Sequence, residues 1–258
     1  MPRRQRPSVP RPGFPTRLTA ALLTRALSAG AAWLVPVAIA LGTPERGAPD
    51  LPVRIALLAG VLALALDLGA WSEIPEAADA WLRRGRAALV LLIGLLALSL
   101  GVRSPDPMLR AGLTYGAGLV AIAVAISPVM VLRSARPNLL WRSWLVGPGY
   151  VAAAVALGAA ALTPGIPRLT NTVANAFLVV MLCSFAAFRS PRGAAGLDPA
   201  REAVRTRTLG GMNQFQLYFL LGVVTFLFEP SRPWVGAAGL VAALATWFGL
   251  FLRAGGAR

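Results

Sequence analysis

Residues 111–132 read AGLTYGAGLVAIAVAISPVMVL, a run of 22 residues without a charge between Arg110 and Arg133. A helix needs roughly 20 apolar residues to cross about 30 Å of hydrocarbon, so this run is long enough to span a membrane. The rest of the chain has the same character, since 57% of its residues are hydrophobic and 14% are charged. Soluble domains contain about 25% charged residues. The sequence therefore predicts an all-α integral membrane protein and excludes a soluble, disordered or disulfide-stapled one.

Seven further stretches resemble this run in length and composition. The eight predicted spans cover residues 26–42, 55–71, 87–102, 111–132, 144–163, 169–188, 212–228 and 234–252, as a polytopic bundle of about eight transmembrane helices. The third span is the shortest, and we expect its flanking arginines to extend it by reaching toward the headgroups. Residues 1–16 are rich in proline and arginine and are predicted to form a disordered basic cytoplasmic arm. Residues 17–258 are predicted to form a single transmembrane helical domain.

All 25 basic residues are arginines, and their distribution predicts the orientation of the chain. With a cytoplasmic N-terminus and eight spans, 19 arginines fall in cytoplasmic segments and 6 fall outside. This is the positive-inside bias of membrane proteins, so both termini are predicted to be cytoplasmic. Arginine without lysine, in a background rich in alanine and glycine, indicates a GC-rich bacterial genome. We therefore predict a multi-pass protein of the bacterial cytoplasmic (inner) membrane.

The arginines that give the chain its net charge of +15 lie between the apolar runs rather than in one basic domain. It therefore favours anionic lipid at the cytoplasmic face as the partner and argues against nucleic acid. Two segments are predicted as short helices outside the spans, an amphipathic one over 16–27 and a surface one over 72–86. The second of these and the segment 196–211 are either solvated linkers or docking surfaces for a cytoplasmic or membrane partner subunit. A rival hypothesis treats residues 1–40 as a cleaved signal peptide.

Asp67 is the one acidic residue inside a predicted span, and Arg25 is expected at a similar depth on the neighbouring span. A charge at the centre of a bilayer costs at least about 2.5–3.5 kcal/mol, so such residues are functional candidates by default. One interpretation is a structural ion pair that locks the first helical hairpin. The other is a carboxylate that couples proton or cation movement to transport.

Amide side chains form two further candidate clusters near the ends of predicted spans. Asn171 and Asn175 are one turn apart and share a face of span six. Asn213 and Gln216 are predicted to share a face at the inner end of span seven. Each cluster either joins helices by hydrogen bonds or lines a polar mouth for a solute.

The chain lacks lysine and histidine and has one cysteine, Cys183, which removes several kinds of chemistry. A P-loop and a Schiff base need lysine, while haem and zinc sites lean on histidine. We predict no catalytic residue, no cofactor and no metal site. The favoured function is that of a permease or transporter-type membrane component. The alternatives are a structural or accessory subunit of a larger membrane complex and a lipid-modifying enzyme that uses Asp67, Asp106 or Glu229.

Internal symmetry is suggested by two short sequence echoes. Trp33 and Gly118, which are 85 residues apart, begin motifs that recur at Trp144 and Gly239, which are 95 residues apart. The hypothesis that follows is a duplicated unit of four spans. Because four is even, the two units would run parallel to each other.

Overall fold

The computed structural model describes residues 14–40, 50–70, 76–101, 107–135, 144–164, 166–189, 208–209 and 212–253. Eight α-helices account for nearly all of them. They are α1 Phe14–Ala40, α2 Leu51–Ala70, α3 Glu76–Gly101, α4 Pro107–Ala135, α5 Val146–Leu162, α6 Thr170–Arg189, α7 Gln214–Phe228 and α8 Pro233–Arg253. A 3-10 turn, Pro167–Leu169, leads into α6. Two-residue strands, β1 Thr208–Leu209 and β2 Met212–Asn213, pair antiparallel before α7.

Five helices contain a segment long and apolar enough to cross a membrane. These segments are Arg17–Ala38, Leu51–Leu68, Ala78–Gly101, Met108–Ser134 and Pro167–Ala186. Three apolar helices are shorter, with segments Val146–Leu162, Gln216–Phe228 and Pro233–Gly249. The prediction of a helical membrane protein is confirmed, and each predicted span corresponds to one helix. Five of the eight reach crossing length in the described residues.

The two short helices predicted before spans one and three do not exist as separate elements. The first is continuous with span one in α1, which has 27 residues, and the second is continuous with span three in α3, which has 26. The predicted spans begin at residues 26 and 87, directly after Arg25 and Arg86. Both guanidinium groups instead find partners inside the bundle, so nothing stops the helix there. Because α1 begins at Phe14, the predicted arm ends earlier than residue 16, and its residues 1–13 lie outside the described part of the chain.

Successive helices alternate in direction, as side-chain contacts show. Asp67 near the end of α2 meets Arg25 in the first half of α1, and Ser127 near the end of α4 joins them. Tyr150 near the start of α5 bonds Leu22 of α1, so α1 and α5 run in the same direction. The ring of Tyr150 also lies 5.6 Å from that of Phe248 near the end of α8. The start of α1 and the end of α8 therefore lie at the same end of the bundle.

Helices α1 and α5 form the centre of the bundle, because α1 contacts α2, α4, α5 and α8, and α5 contacts α1, α2, α4, α6 and α8. Their close approach brings the two backbones into contact at Gly30 and Gly158. A Cβ on Gly30 would lie 1.7 Å from the carbonyl oxygen of Ala154, and one on Gly158 would lie 2.2 Å from the carbonyl carbon of Gly30. Small residues spaced by four allow this closeness. The pattern Ala154-x-x-x-Gly158, visible in the sequence, thus serves helix packing within the chain.

The pairing of helices recurs in the two halves of the chain. Contacts α1–α2, α2–α3, α3–α4 and α1–α4 have counterparts in α5–α6, α6–α7, α7–α8 and α5–α8. The contacts α1–α8 and α4–α5 also correspond, which is the arrangement that a parallel duplication would produce. The two tryptophans of the sequence echoes are not in equivalent environments in the two halves. Trp33 donates a hydrogen bond to the Gly118 carbonyl at 2.9 Å, whereas Trp144 is 74% exposed.

Candidate functional site

The ion pair between Arg25 and Asp67, expected from the sequence, is present in the structure. Nη2 of Arg25 lies 2.7 Å from Oδ2 of Asp67, and both side chains are fully buried. Arg25 sits in the interior of α1 and Asp67 in the last turn of α2, so the pair joins two neighbouring antiparallel helices. Buried ions need both a counter-charge and hydrogen bonds, because transfer from water costs several kcal/mol per ion.

A second guanidinium group, that of Arg86 on α3, binds the same carboxylate. Its Nε donates to Oδ2 of Asp67 at 3.0 Å, and its Nη2 donates to the Asp67 backbone carbonyl at 3.1 Å. That carbonyl is one of the last four of α2, which have no partner within the helix. Arg86 therefore neutralises the carboxylate and caps α2 with one side chain. At 31% exposure, Arg86 also connects the buried pair to the surface of the bundle.

The hydroxyl of Ser127 on α4 completes the cluster. It accepts a hydrogen bond from Nη1 of Arg25 at 3.0 Å and donates to the backbone carbonyl of Val124 at 3.3 Å. The next residue is Pro128, which has no N–H and leaves the carbonyl four residues back without its helical donor. That carbonyl belongs to Val124, so Ser127 supplies the missing donor and presents its oxygen to Arg25. Proline and serine thus act together in α4.

Gly85 on α3 makes room for this arrangement. A Cβ at this position would lie 2.4 Å from Oγ and 2.7 Å from Cβ of Ser127, and 2.9 Å from Nη1 of Arg25. Distances under 3.0 Å force neighbouring atoms to shift. Only glycine lets α3 and α4 close around the guanidinium group. Next to this layer, the Tyr150 hydroxyl donates to the Leu22 carbonyl at 2.8 Å and ties α5 to α1 one turn from Arg25.

We name Arg25, Asp67, Arg86 and Ser127 the arginine–aspartate cluster. It gathers side chains from α1, α2, α3 and α4 at one end of the bundle and carries two positive charges against one negative charge. Guanidinium groups present several hydrogen-bond donors in a fixed planar geometry, so the cluster is suited to electrostatic locking or to recognition of an anion. In the described ranges, no group of three or more histidine, cysteine, aspartate or glutamate residues could hold a metal ion.

The amide candidates lie apart from this cluster. Asn171 and Asn175 share the exposed face of α6 near its start, at the opposite end of the bundle. The predicted face shared by Asn213 and Gln216 is wrong, because α7 begins at Gln214 and Asn213 belongs to β2, opposite Thr208. Gln216 is exposed on the first turn of α7. The structure therefore brings together Arg25 and Asp67 among the candidates and leaves the four amide residues outside their site.

Two residues of the cluster, and the glycine that makes room for it, were not identified from the sequence. Arg86 was interpreted as a flank of the third span, while Gly85 and Ser127 are residue types common throughout the chain. The signal that was present is the dipeptide Ser127-Pro128 within a predicted span. The opposite end of the bundle holds a further ion pair, between Arg110 and Asp50, which ties α4 to the start of α2.

Glu229 is a further buried charge-bearing group, in the turn between α7 and α8. Its side chain is 1% exposed, and neither carboxyl oxygen has a hydrogen-bond partner among the described residues. Burial raises the pKa of Glu229 above the ordinary glutamate value. The sequence places this residue outside the spans, but its burial depends on how the turn folds back.

With this geometry established, comparison with known proteins adds no assignment. No family model matches the chain, and no curated protein matches it either.

Proposed function

We propose that this protein is an eight-span, permease-type component of the bacterial cytoplasmic membrane and that the arginine–aspartate cluster is its functional centre. The observation that carries the proposal is the complete burial of Asp67 between two guanidinium groups inside apolar helices. Ionisable residues within a membrane are costly and commonly mark solute or ion pathways. The surplus positive charge of the cluster favours an anionic solute.

The proposed topology has eight crossings with both termini in the cytoplasm, beside anionic lipid. It is supported by the alternating helix directions and by the arginine asymmetry between the two sets of loops. A helix rises 1.5 Å per residue, so the 17 residues of α5 extend about 26 Å. A slightly thinned bilayer or reaching side chains accommodate a span of that length.

The central place of α1 argues for its retention in the mature protein. Cleavage after residue 40 would remove the helix that contacts α2, α4, α5 and α8. It would also remove Arg25 and leave Asp67 with Arg86 alone. We therefore favour a membrane anchor over a signal peptide for this segment.

Topology is tested by reporter fusions in a bacterial host. Fusions after residues 48 and 230 should report the outer side, and fusions after residues 195 and 258 should report the cytoplasm. The physical reason is the excess of arginine in the second set of loops. A fusion after residue 258 that reports the outer side would mean an odd number of crossings and would refute the eight-span proposal.

The permease proposal is tested by flux measurements on purified protein in liposomes. Currents on a solid-supported membrane are recorded while small anions, namely chloride, phosphate, formate and longer carboxylates, are exchanged against a matched cation series. Wild-type protein should give a current with at least one anion, and Asp67→Asn combined with Arg25→Gln should abolish it while remaining folded. Asp79→Asn, which removes an exposed carboxylate on α3, is the matched control and should leave the current unchanged.

The second candidate is an accessory subunit of a membrane assembly. It is favoured by the short ion pair of the cluster and by the backbone contact between α1 and α5, which both resemble a fixed scaffold. This function predicts no current with any anion. It also predicts that a partner subunit remains bound in a stoichiometric ratio through purification in gentle detergent, as judged by mass spectrometry.

A further inference from the structure

Glu229 is held in a place that disfavours its ionised form. It follows α7 directly, and its backbone N–H continues the helical pattern by donating to the Thr225 carbonyl at 3.0 Å. The side chain then folds inward against α8, where it is almost completely buried. A buried carboxylate without hydrogen bonds is strongly unfavourable, whereas the neutral acid has a much smaller desolvation cost.

The contact with α8 depends on Gly236 in its first turn. A Cβ on Gly236 would lie 2.4 Å from Oε2 and 2.6 Å from Cα of Glu229, so only glycine lets the carboxyl group lie there. The start of a helix often binds anions through free N–H groups. Here the N–H groups of Val235 and Gly236 donate to the Arg232 carbonyl, at 2.9 and 3.1 Å. These two groups therefore do not stabilise a negative charge on Glu229.

Among the described residues, few charged groups are near Glu229. Helix α7 has no charged residue, and the one charged residue of α8, Arg253, lies at its far end. Arg232 in the same turn and Arg168 before α6 are exposed, and within the described residues neither forms an ion pair with Glu229. Arg25, the buried cation of α1, is at the opposite end of the bundle.

We propose that Glu229 is a proton-binding site that controls the α7–α8 hairpin. With the proton bound, the neutral carboxyl group stays against Gly236 and the hairpin is closed. When the carboxyl group releases its proton to water, the carboxylate leaves this contact for solvent at the surface, where Arg232 is the nearest cation in sequence. The hairpin opens because the end of α7 and the start of α8 lose their shared buried contact. The raised pKa of Glu229, caused by burial, agrees with this assignment.

Opening is measured by thiol labelling at Thr225, a buried residue of α7 one turn before Glu229 that faces Gly239 of α8. The variant Thr225→Cys is made in a Cys183→Ser background, which leaves a single thiol in the chain. Labelling rates are compared at each pH with those of the same protein carrying Glu229→Gln, so that ionisation of the thiol cancels. The ratio of the two rates should rise about tenfold per pH unit above the ordinary glutamate pKa of about 4.3, then level off at the raised pKa. A ratio that stays constant across this range refutes the proposal.

Thermal stability gives an independent measurement. A raised pKa in the folded state means that the folded protein binds more protons, so the melting temperature should fall as pH rises from about 4.3 through the raised pKa. Glu229→Gln and the apolar Glu229→Met should both remove this fall, whatever their absolute melting temperatures. Asp79→Asn, the exposed control, should keep it. If both Glu229 variants keep the wild-type pH dependence, another group binds the proton and the proposal is wrong.

Discussion

Removal of the Asp67 charge is expected to destabilise the protein more than any other single charge deletion in the cluster. In Asp67→Asn the side chain keeps its size, but Arg25 stays fully buried without its anion. Removing one partner of a buried ion pair costs about 3–5 kcal/mol. For chains of 150–250 residues, 1 kcal/mol corresponds to about 2–4 °C in melting temperature. We therefore expect a decrease of about 6–20 °C.

Arg25→Gln should cost less, because Arg86 still holds the Asp67 carboxylate. The loss is that of a charge-assisted hydrogen bond, about 1.5–3 kcal/mol. The double variant should be more stable than Asp67→Asn alone. It no longer buries an uncompensated guanidinium group, and Arg86 is exposed enough to reach water. The effects of the two substitutions should therefore differ from additivity by about 0.5–3 kcal/mol.

The assay is thermal unfolding of purified protein in detergent, followed by tryptophan fluorescence and size-exclusion chromatography. Asp79→Asn provides the control, since it breaks an exposed pair with Arg83 in which the side chains are 46% and 71% exposed. Exposed pairs at this helical spacing contribute about 0.3–0.5 kcal/mol, so a shift of about 2 °C or less is expected. Strictly additive losses at Arg25 and Asp67, or an Asp67 effect no larger than the control, would falsify the claim that the pair stabilises the bundle.

Two glycine substitutions test the close approaches between helices by the same melting assay. Gly30→Ala places a Cβ 1.7 Å from the Ala154 carbonyl oxygen, so α1 and α5 must separate and a loss of at least about 1–3 kcal/mol is expected. Gly94→Ala, where nothing lies within 4 Å, is its control and should be neutral or stabilising by up to about 1 kcal/mol. Gly85→Ala should cost about 1–3 kcal/mol by displacing the arginine–aspartate cluster, and Asp67→Asn should then cost less in that background. An unchanged melting temperature for Gly30→Ala, or full additivity for Gly85→Ala, would contradict the packing described above.

Much of the secondary structure was predictable from the sequence because apolar run length has a direct physical meaning in a bilayer. The pair Arg25–Asp67 was predictable for a similar reason, since two opposite charges at one depth of neighbouring helices need each other. Helix continuity was not predictable. Arg86 was interpreted as the edge of a span, whereas it lies within α3 because Asp67 supplies a partner inside the bundle. The length of a helix through a charge depends on tertiary contacts that are distant in sequence.

The residues that shape the site were missed for a different reason. Gly85 and Ser127 resemble dozens of other small residues in this chain, and their importance comes from the distance between α3 and α4. Asn213 was misplaced because the strand pair at Thr208–Asn213 ends just before α7 and takes the residue out of the helix. Glu229 was expected in a loop because it lies between two predicted spans. Its burial depends on the fold of the turn, which the sequence pattern does not reveal. Residue composition therefore predicts the positions of the spans well, but it predicts the structure of the turns between them poorly.

The two halves of the chain pair their helices alike but hold them together with different chemistry. In the first half, two arginines and an aspartate join α1, α2 and α3. In the second half, α6 meets α7 through the ring of Phe177, 6.3 Å from that of Tyr218, and through a long 3.5 Å hydrogen bond between the hydroxyl groups of Ser184 and Tyr218. Aromatic contacts have no single required geometry, whereas a buried ion pair loses several kcal/mol if its partners separate. The proposed permease function needs one part of the protein that stays fixed and one part that moves. By this reasoning α1–α4 is the fixed part, and the α7–α8 hairpin, with Glu229 at its turn, is the part expected to move.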